Sequence, residues 1–230
     1  MKRYNLLLIF FLFSLNVNAQ TATDYYPLSV GSMWITKYIH TGCNAEPSSM
    51  SKQRIDFIGE DGLIGMKSSS EAQSDFPASC GWYKKDMNGD VFFCKTGVYP
   101  NPTIVKFKFD VPMVIMEWNP PILIIDASEM KKGGSWEYQD EQFRTVSPDS
   151  TVKVTITNTS IVDSVNETVT VPAGTFTNCI KVRGTAITSL GDTTGVSTSF
   201  YAPGVGRVLC IDDNPEDQAS RAELIEYVIK

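Results

Sequence analysis

The stretch Thr151-Val152-Lys153-Val154-Thr155-Ile156-Thr157 decides the fold class. Its apolar residues occupy every second position, and polar residues occupy the positions between them. Successive side chains of a β-strand point to opposite faces, so the three apolar side chains share one face. This alternation predicts a strand that buries one face and exposes the other.

The same alternation recurs along the chain, at residues 104–109, 169–171, 180–182 and 225–229. No long helix is predicted, and the segments bounded by turn residues number roughly a dozen. Without helices to cover it, a sheet of that size must curl into a barrel or pack as two sheets. We therefore predict an all-β fold, an antiparallel and strongly curved sheet that forms a half-open or closed barrel. No repeat or linker divides the chain, so residues 20–230 are predicted to form a single β domain.

Three turns punctuate the predicted strands. Asn88-Gly89 is a strong hairpin signal, and it predicts a type I′ turn with positive φ at both central positions. Pro172-Ala173-Gly174 suits a type I turn that ends in glycine. Ala202-Pro203-Gly204-Val205 suits a type II turn, which requires positive φ at Gly204.

The alternation also predicts which residues face inward. We expect one continuous inner surface made of Val105, Phe107, Phe109, Val152, Val154, Ile156, Val169 and Val171. If the sheet is only half closed, part of that surface stays accessible. The apolar stretch from Pro112 to Ile125 is interrupted by Pro120-Pro121, and it is predicted to form two strands and a turn.

The beginning of the chain has the pattern of a signal peptide. Lys2 and Arg3 precede an apolar run from Leu6 to Leu15, and Val17 and Ala19 are small residues of the kind found before a cleavage site. The run is shorter than the roughly 20 residues of a membrane span. Residues 1–19 are therefore predicted to be a signal peptide, and the protein is predicted to be exported, either periplasmic or secreted. No later segment is predicted to cross a membrane.

The charge of the mature chain argues against nucleic acid as a partner. Removal of the predicted signal peptide leaves 18 basic and 26 acidic residues, a net charge of −8. Binding to a phosphate backbone requires clustered lysine and arginine. The basic groupings here are isolated pairs, such as Lys84-Lys85 and Lys131-Lys132.

All five cysteines lie in the predicted mature chain, which export would place in an oxidising compartment. At least one disulfide is predicted, with Cys43–Cys80 preferred because both residues flank polar, turn-rich stretches. Cys179–Cys210 is the alternative, provided that the strands bring the two Cα atoms within about 7 Å.

Catalytic and metal-binding patterns are weak. His40 is the one histidine, so a catalytic triad would have to use it, and sites with two histidines are excluded. The carboxylate pairs Glu60-Asp61 and Glu137 with Asp140 are interpreted as turn and edge residues. The acidic run Asp212 to Asp217 raises a cation hypothesis that the sequence leaves open, although a solvated loop is favoured. No catalytic, cofactor-binding or metal-binding residue is assigned, and no cofactor is expected.

Three stretches together resemble a known family. They are Y-Y-P-L-S-V-G-S-M-W at residues 25–34, V-P-A-G-T-F at 171–176 and A-P-G-V-G at 202–206. In order and spacing they are similar to the DUF3108-like, or TapB-family, exported bacterial proteins. The resemblance implies a curved antiparallel sheet wrapped into a half-open or closed barrel, similar to periplasmic lipoprotein carriers. It implies no shared catalytic residue, because the family has no established common activity.

Together these observations favour a protein that is not an enzyme. The leading expectation is an exported binding or carrier protein of the bacterial cell envelope, for an apolar or lipid-like ligand or an envelope partner. The alternative is a structural or adhesive envelope protein with a filled core. A cavity of about 300 Å³ or more inside the barrel would favour the first.

Overall fold

The computed structural model describes residues 24–41, 48–59, 61–70, 79–98, 116–147, 150–212 and 219–230. The predicted signal peptide and the predicted strand at 104–109 lie outside these ranges. In the described residues no helix is long and apolar enough to cross a membrane.

The described residues form twelve antiparallel strands in one sheet, as the alternation predicted. The strands are β1 (Met33–Thr41), β2 (Ser49–Ile58), β3 (Ile64–Ser70), β4 (Ser79–Lys85), β5 (Val91–Val98), β6 (Met116–Ile125), β7 (Ser135–Ser147), β8 (Ser150–Val171), β9 (Gly174–Thr188), β10 (Thr193–Ala202), β11 (Gly206–Asp212) and β12 (Ala219–Val228). A 3-10 turn, Ala127–Glu129, joins β6 to β7.

The order of strands across the sheet is β6-β5-β4-β3-β2-β1-β12-β11-β10-β9-β8-β7. The first and last strands of the chain, β1 and β12, pair in the middle of the sheet. The edge strands β6 and β7 follow each other in sequence, and the sheet curls until they lie side by side in a nearly closed barrel. The prediction of an antiparallel, barrel-shaped sheet is confirmed.

Edge position explains how one strand accommodates two prolines. Residues 112–125 were predicted to form two strands and a turn, but Met116–Ile125 is a single strand. Its pairing with β5 shifts register between Phe93 and Lys95, which pair with Ile122 and Glu117. Pro120 and Pro121 therefore lie in an irregular part of an edge strand, where a missing N–H interrupts no ladder hydrogen bond.

The two predicted turns of the family-like motifs occur where expected. Gly204 has φ +68°, and the N–H of Val205 donates to Ala202 O at 3.2 Å, so the predicted turn is confirmed. Val171 pairs with Gly174 across the two-residue connection Pro172-Ala173.

The hairpin at Asn88-Gly89 also forms, but its turn type differs from the prediction. Gly89 has φ +92°, whereas Asn88 does not have positive φ. The Asp86 carboxylate accepts hydrogen bonds from the N–H groups of Asn88 and Asp90, both at 2.9 Å. This side-chain cap on the loop replaces the type I′ geometry with one in which only the glycine has positive φ.

One end of the barrel is closed by an apolar cluster, and we call it the closed end. The long β8–β9 hairpin bends across it, since the N–H of Ala173 donates to Leu224 O on β12 at 3.0 Å. In the sheet order β12 is four strands away from β8, so a flat hairpin could not reach it. Asn166 (φ 64°) and Asn178 (φ 56°) lie where the pairing of β8 with β9 is irregular, and they produce the bend.

The closed end brings together the three motif stretches. The apolar cluster includes Leu28, Trp34, Val171, Ala202, Val205 and Leu224, all buried. Backbone bonds add to it, because Gly204 N–H donates to Asp24 O at 2.7 Å and Ile55 N–H donates to Ser32 O at 2.9 Å. The chain segment before β1 thus seals the barrel against the turn between β10 and β11.

The predicted inner surface is correct in part. Val154, Ile156, Val169 and Val171 are buried and Val152 is half-buried, while Val105, Phe107 and Phe109 lie outside the described residues. They do not form one continuous surface, however. Val169 and Val171 belong to the apolar cluster at the closed end and Val154 and Ile156 do not, because the bend in β8 separates the two pairs.

The prediction of a disulfide is wrong for the described cysteines. Cys80, Cys94, Cys179 and Cys210 form no disulfide with one another. Cys179 and Cys210 lie on β9 and β11, which are separated by β10, and a spacing of about 4.8 Å per strand places their backbones beyond disulfide reach. Cys43 lies outside the described residues, and Cys80 is buried.

Candidate functional site

The inner face of the barrel contains two cavities. The first, at the closed end, has a volume of about 320 Å³, and we call it the floor cavity. It is lined by Tyr26, Pro27, Trp34, Thr36, Gln53, Met66, Tyr83, Ile124, Ile125, Tyr201, Gly206 and Arg207. The lining comes from the segment before β1 and from strands on both halves of the sheet, so curvature of the sheet creates the site.

One wall of the floor cavity is apolar. Trp34, Met66 and Ile125 are buried side chains that border it, and each also belongs to the apolar cluster of the closed end. The indole Nε1 of Trp34 donates to Val205 O at 2.7 Å, so the ring is fixed in place and presents carbon atoms to the cavity.

Another part of the lining carries a cation among phenols. Arg207 and Tyr201 are directly paired across the β10–β11 hairpin, so both side chains lie on the same face of the sheet. The side chain of Arg207 stays accessible to solvent in the cavity, and its closest electrostatic neighbours include Tyr201, Cys210, Tyr26 and Tyr38. A guanidinium is charged at every pH at which proteins fold.

The phenols of this wall are neutral hydrogen-bond donors and acceptors. Burial raises the pKa of Tyr26, and the neighbouring Tyr83 raises it further. Burial also raises the pKa of Tyr201, although Arg207 opposes that shift. The rings of Tyr26 and Tyr83 lie 6.3 Å apart, and Tyr83 packs in turn on Phe93 at 5.1 Å. These contacts hold the phenols in position around the cavity.

Gly206, in the third motif stretch, shapes this site. Gly206 has φ +100°, and a Cβ there would meet Pro27 Cδ at 3.6 Å and Trp34 Nε1 at 3.8 Å. Positive φ is strained for most other residues. The glycine thus lets the chain turn directly into Arg207 while remaining close to the segment before β1.

The second cavity, of about 490 Å³, lies further along the same inner face and is lined largely by small polar residues. We call it the polar cavity, and it is lined by Tyr138, Asn158, Thr159, Ser160, Gly184, Thr185, Ala186, Thr194, Gly195, Val196, Ser197, Asp212 and Ser220. Ser197 in this cavity and Tyr201 in the floor cavity are four residues apart on β10, so about 13 Å separates them. Large aromatic and aliphatic side chains border the floor cavity, whereas mostly small side chains border the polar cavity.

Residues considered from the sequence for catalysis or metal binding lie elsewhere. His40 is half-buried near the end of β1, where it pairs with Ser220 on β12. Glu137 is exposed on the edge strand β7, and the carboxylate of Asp61 accepts a hydrogen bond from Leu63 N–H in a turn. Asp212 borders the polar cavity, while the acidic residues at 213–217 lie outside the described residues. In the described ranges no three histidine, cysteine or carboxylate side chains are grouped as metal ligands.

Comparisons with known proteins give only distant structural similarities. No protein-family model and no curated protein matches the chain, so membership of the DUF3108-like family stays a prediction. A solved structure from Bacteroides fragilis, described as an exported protein with a YmcC-like fold, is 15% identical with a TM-score of 0.40, and the match covers 90% of this chain and 99% of that one. A lipoprotein structure from Parabacteroides distasonis is 17% identical with a TM-score of 0.39, over 91% of this chain and 100% of that one.

Sequence reasoning did not identify the site. Tyr26 and Trp34 lie in the first motif stretch and Gly206 in the third, but the resemblance that these stretches carry implies a fold and no particular site residue. The usable signal was the turn itself, because a hairpin closed at Pro203-Gly204 places the residues on either side of it opposite each other. Arg207 could have been placed beside Tyr201 in this way, but its inward direction depends on a register shift between Phe200 and Tyr201.

Proposed function

We propose that this chain is an exported, non-enzymatic binding protein of the bacterial cell envelope that holds a small ligand with an apolar part in its floor cavity. The observation that carries the proposal is a cavity of about 320 Å³ bordered by Trp34, Met66 and Ile125. Cavities for small molecules typically measure about 300 to 1,000 Å³ and combine apolar walls with a few polar groups. The floor cavity meets this description at the lower end of the range.

The size of the cavity limits which ligands it can hold. A long acyl chain that filled the barrel would have to extend into the polar cavity, past Ser199 and Ser197 on β10. Burying hydrocarbon against the polar side chains of that cavity, among them Ser197 and Asp212, would remove them from water, which is unfavourable. The geometry therefore favours a compact apolar group, such as a medium-length chain or a small ring, over a long-chain fatty acid.

In this proposal the protein is exported and does not catalyse a reaction. The signal-peptide pattern supports export. The polar groups around the floor cavity are phenols, an amide, a hydroxyl and a guanidinium, none of which is a carboxylate or imidazole suited to general acid–base catalysis.

The first measurement asks whether the purified protein retains a bound ligand. Native mass spectrometry of protein purified from its own host should detect a bound small molecule, which denaturation should release. Fluorescence of a hydrophobic dye then measures access to the cavity, and octanoate should displace the dye, whereas palmitate should displace it less effectively.

A matched pair of variants on β1 tests the location. Thr36 lines the floor cavity, and its neighbour Lys37 points to the opposite face of the strand. Thr36→Phe should fill the cavity and abolish dye binding, while Lys37→Phe should leave it unchanged. Equal dye binding by both variants, or no dye binding by the unaltered protein, would favour a structural role for a barrel with a filled core.

A further inference from the structure

Arg207 differs from the other arginines in its surroundings. Among arginines whose side chains the structure describes, three have a carboxylate partner, and these are Arg54 with Asp56, Arg183 with Asp163 and Arg221 with Glu223. Arg207 has no such partner within the described residues. It is also the arginine that lines the floor cavity.

Arg207 has no carboxylate partner among the described residues, yet it stays accessible to solvent where it borders the cavity. Water rather than a carboxylate therefore solvates its guanidinium, and an anion in the cavity can take the place of that water. The neighbouring groups, Tyr201, Tyr26 and Cys210, supply dipoles but no negative charge at neutral pH. A cavity that contains such a guanidinium is therefore complementary to an anion, which a planar arginine fork can bind through two parallel hydrogen bonds.

The phenols extend this complementarity. Tyr26 and Tyr201 keep their protons far above neutral pH because burial raises the pKa of each. Both can therefore donate hydrogen bonds to oxygen atoms of an anion held by Arg207. Trp34 and Met66, which line the same cavity, offer a surface without charge.

We propose that the ligand of the floor cavity is amphipathic. Its head group is an oxyanion, either a carboxylate or a phosphate, that pairs with Arg207, and its apolar part packs against Trp34 and Met66. This inference rests on the proposed function, since it assigns the chemistry of a ligand in that same cavity.

The test compares ligands that differ only in the head group. Binding of octanoate, octyl phosphate and octanol is measured by calorimetry and by the fluorescence of the protein's tryptophans. Hydrogen bonds to a charged group contribute about 1.5 to 3 kcal/mol, so either anion should bind roughly tenfold to a hundredfold more tightly than octanol. The two anions together show whether a carboxylate or a phosphate is preferred.

Variants assign the effect to one side chain. Arg207→Gln should reduce the affinity for the preferred anion to that for octanol and leave octanol binding unchanged. Arg183→Gln, on the outer face of β9, is the matched control and should change neither. Arg207→Lys keeps the charge but not the fork, and it should retain part of the preference.

The outcomes separate the two proposals. Equal binding of octanol and both anions by the unaltered protein would overturn the anion site and leave the binding function standing. No binding of any of the three would overturn both. An anion preference that survives Arg207→Gln would overturn the assignment to Arg207. The comparison of head groups uses the unaltered protein, so that comparison stays valid even if a variant fails to fold.

Discussion

Gly204→Val should destabilise the protein much more than Gly195→Val. Both glycines lie on or beside β10, and a Cβ added at either position would meet no atom within 4 Å. They differ in backbone conformation, since Gly204 has φ +68° and Gly195 does not have positive φ. The pair therefore isolates the cost of a left-handed conformation from the cost of a steric clash.

The magnitude follows from that conformation. A β-branched residue held in the left-handed region costs about 1 to 3 kcal/mol. The turn cannot easily relax, because Gly204 N–H donates to Asp24 O and the adjacent Val205 O accepts from Trp34. Valine in place of Gly195 should be neutral or stabilising, because glycine in a strand costs about 0.5 to 1 kcal/mol relative to alanine.

Thermal unfolding followed by circular dichroism measures the difference. Each kcal/mol shifts the Tm of a chain of this size by about 2–4 °C, so the two variants should be clearly resolved. Gly204→Asn should fall between them, since asparagine tolerates positive φ better than valine does. Equal Tm values for the two valine variants would refute the turn assignment and its role in sealing the closed end.

Two further predictions concern the core and the phenols. Ile55 has 0% exposure, so Ile55→Ala should lower the free energy of unfolding by about 2 to 5 kcal/mol in urea titrations. Ile58 on the same strand is 58% exposed, and Ile58→Ala should change that free energy little. Similar losses for the two variants would show that β2 does not bury the face that carries Ile55. Burial raises the pKa of Tyr26, so the unfolded chain releases the phenolic proton at a lower pH than the folded protein does. Stability should therefore fall as the pH rises above about 10, and Tyr26→Phe should make that fall shallower. An unchanged urea midpoint up to pH 11, roughly one unit above the tyrosine pKa of the unfolded chain, would contradict a buried phenol.

The sheet was predictable because its signals are local. Alternation at 151–157 and turn chemistry at Gly204 depend on neighbouring residues only, and both are confirmed in β8 and in the β10–β11 turn. The turn at Asn88-Gly89 was placed correctly but typed wrongly, because the carboxylate of Asp86 caps the loop. A side chain outside the dipeptide decided the conformation inside it.

Features that depend on distant contacts were not predictable. The bend of the β8–β9 hairpin follows from irregular pairing at Asn166 and Asn178, and it decides that Val169 and Val171 pack at the closed end. The alternative disulfide, Cys179–Cys210, failed for a similar reason, since two cysteines on late strands are close only if those strands are neighbours. Periodicity gives the face of a residue within its own strand but not the order of strands.

The family-like motifs and the candidate site are connected through the closed end. The turn at 202–206 has its conformation set by Gly204 and Gly206, and it is held by Asp24 and Trp34 from the first motif stretch and the residues before it. Arg207 is the next residue, so the contacts that seal the barrel also fix where its guanidinium enters the floor cavity. A change in the turn should therefore alter ligand affinity as well as stability, and the two effects are separable, because Arg207→Gln removes the charge and leaves the turn intact. The motifs thus build the floor of the cavity, and the side chain that gives it chemical character follows directly after them.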